Sequence, residues 1–129
     1  MDLALVAKTI SLWRRSTFVW GQTDCVLAVC DYIAAATGRD PAANWRGTYH
    51  DERGAQAIYE PFGGVLGLVR YGLALVGLPE APRACGRPVV AKLGHHEVAG
   101  IDLGQRVAFL VDGRGVVELP AEVLAAWAI

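Results

Sequence analysis

Charged side chains are scarce in this sequence. They make up 19% of the 129 residues, and the 13 acidic and 12 basic residues nearly cancel to a formal net charge of −1. Proteins that bind nucleic acid concentrate Lys and Arg on one face or along one stripe. Because the sequence shows no such basic stripe, we expect no nucleic-acid partner.

Long uninterrupted apolar runs are also lacking. A helix that crosses a bilayer needs about 20 predominantly apolar residues, and charges or glycines interrupt each apolar run here before that length. The N-terminal segment has an acid at position 2 rather than the positive leader of a secretory signal peptide. We therefore expect no membrane span, and a protein made in the cytoplasm that stays there or leaves inside a particle.

Cysteine is rare: the chain has three, Cys25, Cys30 and Cys85. Three cysteines do not make a disulfide framework, and their spacing lacks the Cys-x-x-Cys pair typical of zinc sites. We expect reduced thiols, no metal and no cofactor. Cys30 is interpreted as a core residue, and Cys85, in a proline-rich loop, has no assigned role.

Apolar residues, by contrast, are abundant, at 53% of the chain. This composition supplies a hydrophobic core for a single domain over residues 1–129 and excludes disorder. It also leaves apolar surface that a neighbouring molecule in an oligomer or a virus particle would bury.

Helical periodicity is confined to the first part of the chain. The pattern predicts an amphipathic helix, a nearly all-apolar central helix capped by Asp24, and two shorter helices, over residues 2–15, 25–36, 51–60 and 65–76. We expect residues 78–86 to form a loop.

Short β-rich runs separated by glycine-containing turns follow, over residues 88–93, 98–103, 107–111 and 116–119. The segment AEVLAAW after Pro120 is predicted to be a last helix. Helices first and antiparallel strands second indicate an α+β fold, with a buried central helix followed by a small antiparallel sheet.

Cys25 is the candidate catalytic residue. It follows the capping residue Asp24 and is the first residue of the central helix. A helix N-terminus lowers the pKa of a thiol from about 8.5 by one to several units, and its free amides can stabilise an oxyanion beside the sulfur. The position therefore suits a nucleophile. The alternative is that Cys25 is a small apolar residue packed at a helix start.

The segment WGQTDCVLAVCDYIAAATGRDPAANWRGTY, residues 20–49, resembles a family of phage and prophage tail proteins similar to NlpC-type papain-like cysteine peptidases. Their shared pattern is an aromatic-glycine turn followed by Asp-Cys at the start of a buried helix, here Trp20, Gly21, Asp24 and Cys25. The resemblance extends over nearly the whole chain, although its C-terminal half is a generic strand pattern. It implies a papain-like, NlpC-type fold.

The resemblance gives Cys25 the nucleophile position, but it places Val98 where the family has its general base, a histidine at the start of the second strand. His96 is two residues earlier and would share the face of Val98, so it is the candidate substitute base. The alternative for His96 is a solvated hairpin turn. The third polar residue of the family would fall in the apolar stretch 109–111, which leaves Asp112 as a weak candidate.

Two functions are open on this basis. The resemblance implies a virion component at the tail tip or baseplate, with other tail-tip or hub proteins as partners and a degenerate catalytic site. The alternative is an active cysteine hydrolase that degrades peptidoglycan during phage DNA entry, because Cys-His chemistry supplies both deprotonation of the thiol and protonation of the leaving group.

Overall fold

The computed structural model describes residues 2–129, which form an α+β fold with a helical layer packed against an antiparallel sheet. Its helices are α1 (Leu3–Arg14), α2 (Cys25–Thr37), α3 (Glu52–Tyr59) and α4 (Val65–Leu75), with a 3-10 turn (Glu60–Phe62) after α3. The predicted helices before residue 77 are therefore confirmed to within about two residues at each end.

Three of the four helices begin at an aspartate, as the sequence pattern requires. Asp2, Asp24 and Asp51 each accept a hydrogen bond from the backbone N–H three residues on, which satisfies one of the free donors of the first turn. α2 ends at Gly38, whose φ of +74° is the left-handed conformation that terminates helices.

The sheet contains six strands, β1 (Glu80–Ala81), β2 (Pro88–Leu93), β3 (His96–Asp102), β4 (Val107–Val111), β5 (Gly115–Leu119) and β6 (Glu122–Trp127). Their spatial order within the described chain is β1-β6-β2-β3-β4-β5, and each neighbouring pair is antiparallel. The expected loop over residues 78–86 thus contains a two-residue edge strand, β1.

The predicted helix over AEVLAAW is wrong, because this segment is strand β6. It lies between β1 and β2, and its register with β2 shifts between Val90 and Ala91, which leaves Leu124 as an extra residue. Such a bulge interrupts the two-residue alternation that identifies a strand in sequence.

The two faces of the sheet bury different clusters. One face packs against α2 and carries Ala99 and Ile101 of β3, in the main core. The other face carries Val89, Ala91, Val107, Phe109 and Ala126, each at most 3% exposed. The side chains of this second cluster come from the sheet and the β5–β6 connection.

None of the helices formed by residues 2–129 combines the length and the apolar composition needed to cross a membrane.

Candidate functional site

The turn before α2 brings the chain back against its own later loop. Gly21 is buried, has φ +81°, and accepts the Gly47 N–H at its carbonyl oxygen over 3.0 Å. A Cβ at Gly21 would lie 1.9 Å from the Tyr49 carbonyl oxygen, so a glycine is required both for the conformation and for the close approach. Trp20 is half-buried and packs edge-to-face on Phe18, with ring centroids 4.8 Å apart.

Asp24 is fully buried and holds this turn to the helix start. Its carboxylate accepts the Gly21 N–H at 3.0 Å, the Leu27 N–H at 2.9 Å and the Tyr49 hydroxyl. A buried carboxylate is tolerated when such donors replace its water. The sequence identified Asp24 as a cap, and the structure adds that it fastens the loop carrying Tyr49.

Cys25 is half-buried at the first residue of α2, and its thiol is held protonated. Burial, assisted by the neighbouring Asp24 carboxylate, raises the pKa of Cys25 from its ordinary value of 9.0 to about 12. The backbone N–H groups of Ala99, Val26 and Cys25 itself act in the opposite direction on this pKa, as expected at a helix N-terminus, but they do not outweigh burial. The lowered thiol pKa expected from the helix position is therefore not what this environment produces.

Two tyrosines complete the surroundings of the thiol. Burial and the hydrogen bond to Asp24 raise the pKa of Tyr49, and burial with the adjacent Cys25 and Asp24 raises that of Tyr59. The Tyr49 and Tyr59 hydroxyls lie close enough that each affects the pKa of the other. The Tyr59 hydroxyl is buried and has no partner among residues 2–129.

The face of β3 that lies towards Cys25 carries Ala99, not Val98. Ala99 belongs to the main core with α2, whereas Val98 packs on the second cluster across the sheet. His96 shares the side of Val98 by strand alternation and is exposed. The expected register of the base is thus off by one residue, and the structure does not bring His96 to Cys25.

Glu97 is the ionisable residue of β3 on the helix-facing side. Its carboxylate accepts the Leu66 N–H at 3.2 Å, in the first turn of α4. A Cβ on Gly64, the residue before α4, would lie 2.6 Å from Glu97 Oε1, so the glycine leaves room for this carboxylate. Glu97 therefore serves as a helix cap supplied from the sheet.

The remaining candidates lie apart from the thiol. Asp112 is exposed in the turn between β4 and β5, and Cys30 is buried in the core, as expected. Cys85 lines a groove of about 600 Å³ beside Tyr32 and Arg87, near the other end of α2. Within residues 2–129, no three His, Cys, Asp or Glu side chains cluster closely enough to hold a metal ion.

The sequence reasoning missed Tyr49, Tyr59 and Glu97 as neighbours of the site. Nothing in the sequence pointed to the bond between Tyr49 and Asp24, and Tyr59 carried no local signal. Glu97 follows His96 directly in β3 and therefore lies on the opposite face of the strand.

Residues 3–129 match the model of one protein family, whose description reads domain of unknown function, DUF6950. Neither the curated proteins nor the solved structures yield a significant match to the chain.

Proposed function

The chain belongs to the DUF6950 family of domains of unknown function, and we propose that it is a bacteriophage tail-tip or baseplate component with a papain-like, NlpC-type fold and a degenerate catalytic site. The sequence of residues 20–49 supports the family resemblance. The order of a cysteine-opened buried helix followed by an antiparallel sheet is compatible with it.

The main support for a loss of catalytic activity is the identity of the residue that faces Cys25 from β3. A papain-like hydrolase needs an imidazole there, because the base must lie within hydrogen-bond reach of the thiol. The position is held by Ala99, which is 2% exposed and has a methyl side chain. With a thiol pKa raised to about 12, the nucleophilic thiolate is scarce at neutral pH.

Exposed apolar side chains support a role in assembly. Leu3 and Leu12 of α1 are 60% and 52% exposed, and Tyr71 and Leu75 of α4 are 48% and 55% exposed. Scattered apolar residues are ordinary on protein surfaces, but Tyr71 and Leu75, four residues apart, share one face of α4. Burial against other tail-tip or hub proteins in the virion would remove them from water.

Purified particles of the phage or prophage that encodes the chain test the proposal directly. Quantitative mass spectrometry should find the chain at a few copies per particle, and tailless particles from a tail-assembly mutant should lack it. Equal amounts in both particle types, or none in either, would contradict a tail location.

The rival function, a cysteine hydrolase acting on peptidoglycan, has one specific observation in its favour. Backbone N–H groups of α2 and Ala99 lie around the Cys25 sulfur, where an oxyanion would need them. The rival requires an ion-paired thiolate, which would react with iodoacetamide below about pH 7 and would slow in a His96→Ala variant.

We expect the opposite outcome in both respects. Cys25 should react slowly at neutral pH, at the same rate in the wild type and in His96→Ala. Purified sacculi should release no more soluble fragments with the wild type than with Cys25→Ala. Release that depends on Cys25 would establish the hydrolase.

A further inference from the structure

A groove of about 600 Å³ lies at the C-terminal end of α2, about 16 Å along the helix from Cys25. It is bounded by the start of α1, the last turn of α2, the loop that precedes β2, and Ile129. Small-molecule sites in proteins measure about 300–1,000 Å³. A core cavity lined by Cys30 and Tyr49, by contrast, measures about 20 Å³, enough for about one water molecule. The groove is therefore large enough for a small ligand.

The wall formed by residues 84–87 is fixed to the sheet and to α2. The Gly86 N–H donates to the Asp102 carbonyl oxygen over 2.7 Å, and the Asp102 N–H donates to the Arg87 carbonyl oxygen over 2.9 Å. The Tyr32 hydroxyl of α2 donates to the Gly86 carbonyl oxygen over 2.6 Å. Because these bonds hold the wall in place, a ligand would bind a preformed surface and would not have to order it.

Arg87 lines the groove as a half-buried cation, and no acidic side chain among residues 2–129 forms a salt bridge with it. Its Nη1 donates to the Pro82 carbonyl oxygen, which uses one of the five guanidinium donors. Arg46, the other half-buried arginine of that part of the chain, pairs with two carboxylates. A charge partly removed from water is ordinarily paired, so Arg87 can accept an anionic partner. The guanidinium fork matches a carboxylate in particular.

The opposite charge and apolar surface line the same groove. Asp2 Oδ1 accepts the Leu5 N–H over 3.0 Å, and the Asp2 side chain is otherwise exposed. Leu5 and Ile129 add apolar surface between the elements that carry the charges. A complementary ligand therefore has a carboxylate, an amine and a short apolar part.

We propose that this groove binds a zwitterionic amino acid or short peptide. Its carboxylate binds Arg87, its amine binds Asp2, and an apolar side chain packs on Leu5 and Ile129. The site is separate from Cys25, and it does not rest on the function proposed above.

Cys85, half-exposed in the wall of the groove, provides a measure of occupancy. The folded protein would be alkylated with iodoacetamide at pH 8 with and without the dipeptide alanyl-leucine, and Cys85 would be followed by mass spectrometry. A trace of 2-mercaptoethanol in the same solution corrects for loss of reagent. A ligand of about 14 non-hydrogen atoms has a Kd of about 1 mM at ordinary ligand efficiency. About 10 mM dipeptide should therefore slow the alkylation of Cys85 about tenfold.

Blocked forms of the dipeptide separate its two charges. N-acetyl-alanyl-leucine lacks the amine, and alanyl-leucine amide lacks the carboxylate. Each form loses a hydrogen bond between charged groups, so it should bind at least about tenfold more weakly. At the same concentration, each should slow Cys85 by about twofold or less.

Variants assign each charge to a residue, with every rate compared to that of the same variant without peptide. Arg87→Gln should reduce the effect of alanyl-leucine to about twofold and leave the weak effect of the amide unchanged, because the amide has no carboxylate to lose. Asp2→Asn keeps the helix cap, and it should weaken the effect of alanyl-leucine but not that of the N-acetylated form. Arg53→Gln is the matched control, because Arg53 is exposed on α3 and does not line the groove.

Several results would overturn the site. Equal effects of the three peptides would mean that the groove does not recognise the charges. A full effect of alanyl-leucine in Arg87→Gln would mean that the carboxylate does not bind there. If Cys85 is not slowed, titration calorimetry with the same dipeptide completes the test. No heat of binding would mean that no zwitterion binds, and a heat that persists in Arg87→Gln would place the peptide elsewhere on the protein.

Discussion

Glu97 Oε1 accepts the backbone N–H of Leu66 at 3.2 Å, so a strand residue caps a helix 31 positions earlier in the chain. Gly64, which precedes α4, makes no side-chain cap of its own. This bond ties β3 to the start of α4 on the side of the sheet that also carries Ala99. Glu97, the ionisable residue on that face of β3, therefore has a structural role.

Replacement of Glu97 by alanine should lower the free energy of unfolding by about 1 kcal/mol, the usual cost of a lost N-cap. Glu97→Gln should cost less, because the amide oxygen can still accept the bond and only the favourable charge at the helix N-terminus is lost. His96→Ala, on the opposite face of the same strand, is the control and should be nearly neutral. Urea denaturation of the four proteins decides it, and equal stabilities of Glu97→Ala and His96→Ala would contradict the cap.

The helices and the hairpins could be predicted because their signals are local. Both ends of α2 are marked by residues next to the helix: Asp24 caps its start, and Gly38 ends it. The strand β6 could not be predicted in this way. Its residues Glu122, Leu124 and Ala125 are good helix formers, and its extended state depends on pairing with β2 and β1, which are distant in sequence.

The position of Cys25 at the start of α2 was predictable, but its neighbours were not. Cys25 is placed by the helix it opens, whereas the identity of the residue opposite depends on which face of β3 points inward. A shift of one residue exchanges the two faces of a strand. The family resemblance that placed Val98 at the base position does not determine which face of β3 points towards Cys25. Tyr59 reaches the thiol through the packing of α3, for which the sequence has no short-range signature.

Gly21→Ala should be among the most damaging single substitutions in the chain. Alanine would have to adopt a left-handed conformation, which costs about 1–2 kcal/mol. It would also place a methyl group against the Tyr49 carbonyl oxygen, so we expect a total loss above about 4 kcal/mol.

Gly38→Ala is the matched control for Gly21→Ala. Its φ is +74°, close to that of Gly21, but a Cβ there would have nothing within 4 Å among the described residues. It should therefore cost only the conformational term. Thermal or urea unfolding of both variants separates the two contributions, and equal losses would mean that the contact with Tyr49 is unimportant.

The raised pKa of Cys25 predicts a specific loss of stability at alkaline pH. The folded state keeps a proton up to about pH 12, whereas the unfolded thiol loses it near the ordinary value of 9.0. The protonated thiol therefore makes its full contribution to the free energy of unfolding below pH 9. This contribution is lost as pH rises from 9 towards 12, by roughly 1 kcal/mol at pH 10.

Cys30 and the buried tyrosines contribute in the same direction, so the quantity to measure is a difference. Urea unfolding of the wild type and of Cys25→Ala, in reductant at pH 8, 9 and 10, should show the wild type losing more stability with pH than the variant. Parallel pH profiles would mean that the thiol is solvated in the folded protein.

Val98→His tests which side of β3 faces the thiol. This substitution supplies the histidine at the position where the family resemblance places the general base. Since Val98 packs on the second cluster across the sheet, the new imidazole should not reach Cys25. The rate of Cys25 alkylation at pH 7 should therefore equal that of Val98→Ala, which controls for lost packing. A clear acceleration in Val98→His alone would mean that residue 98 faces the thiol, and it would reopen the hydrolase as the function of the chain.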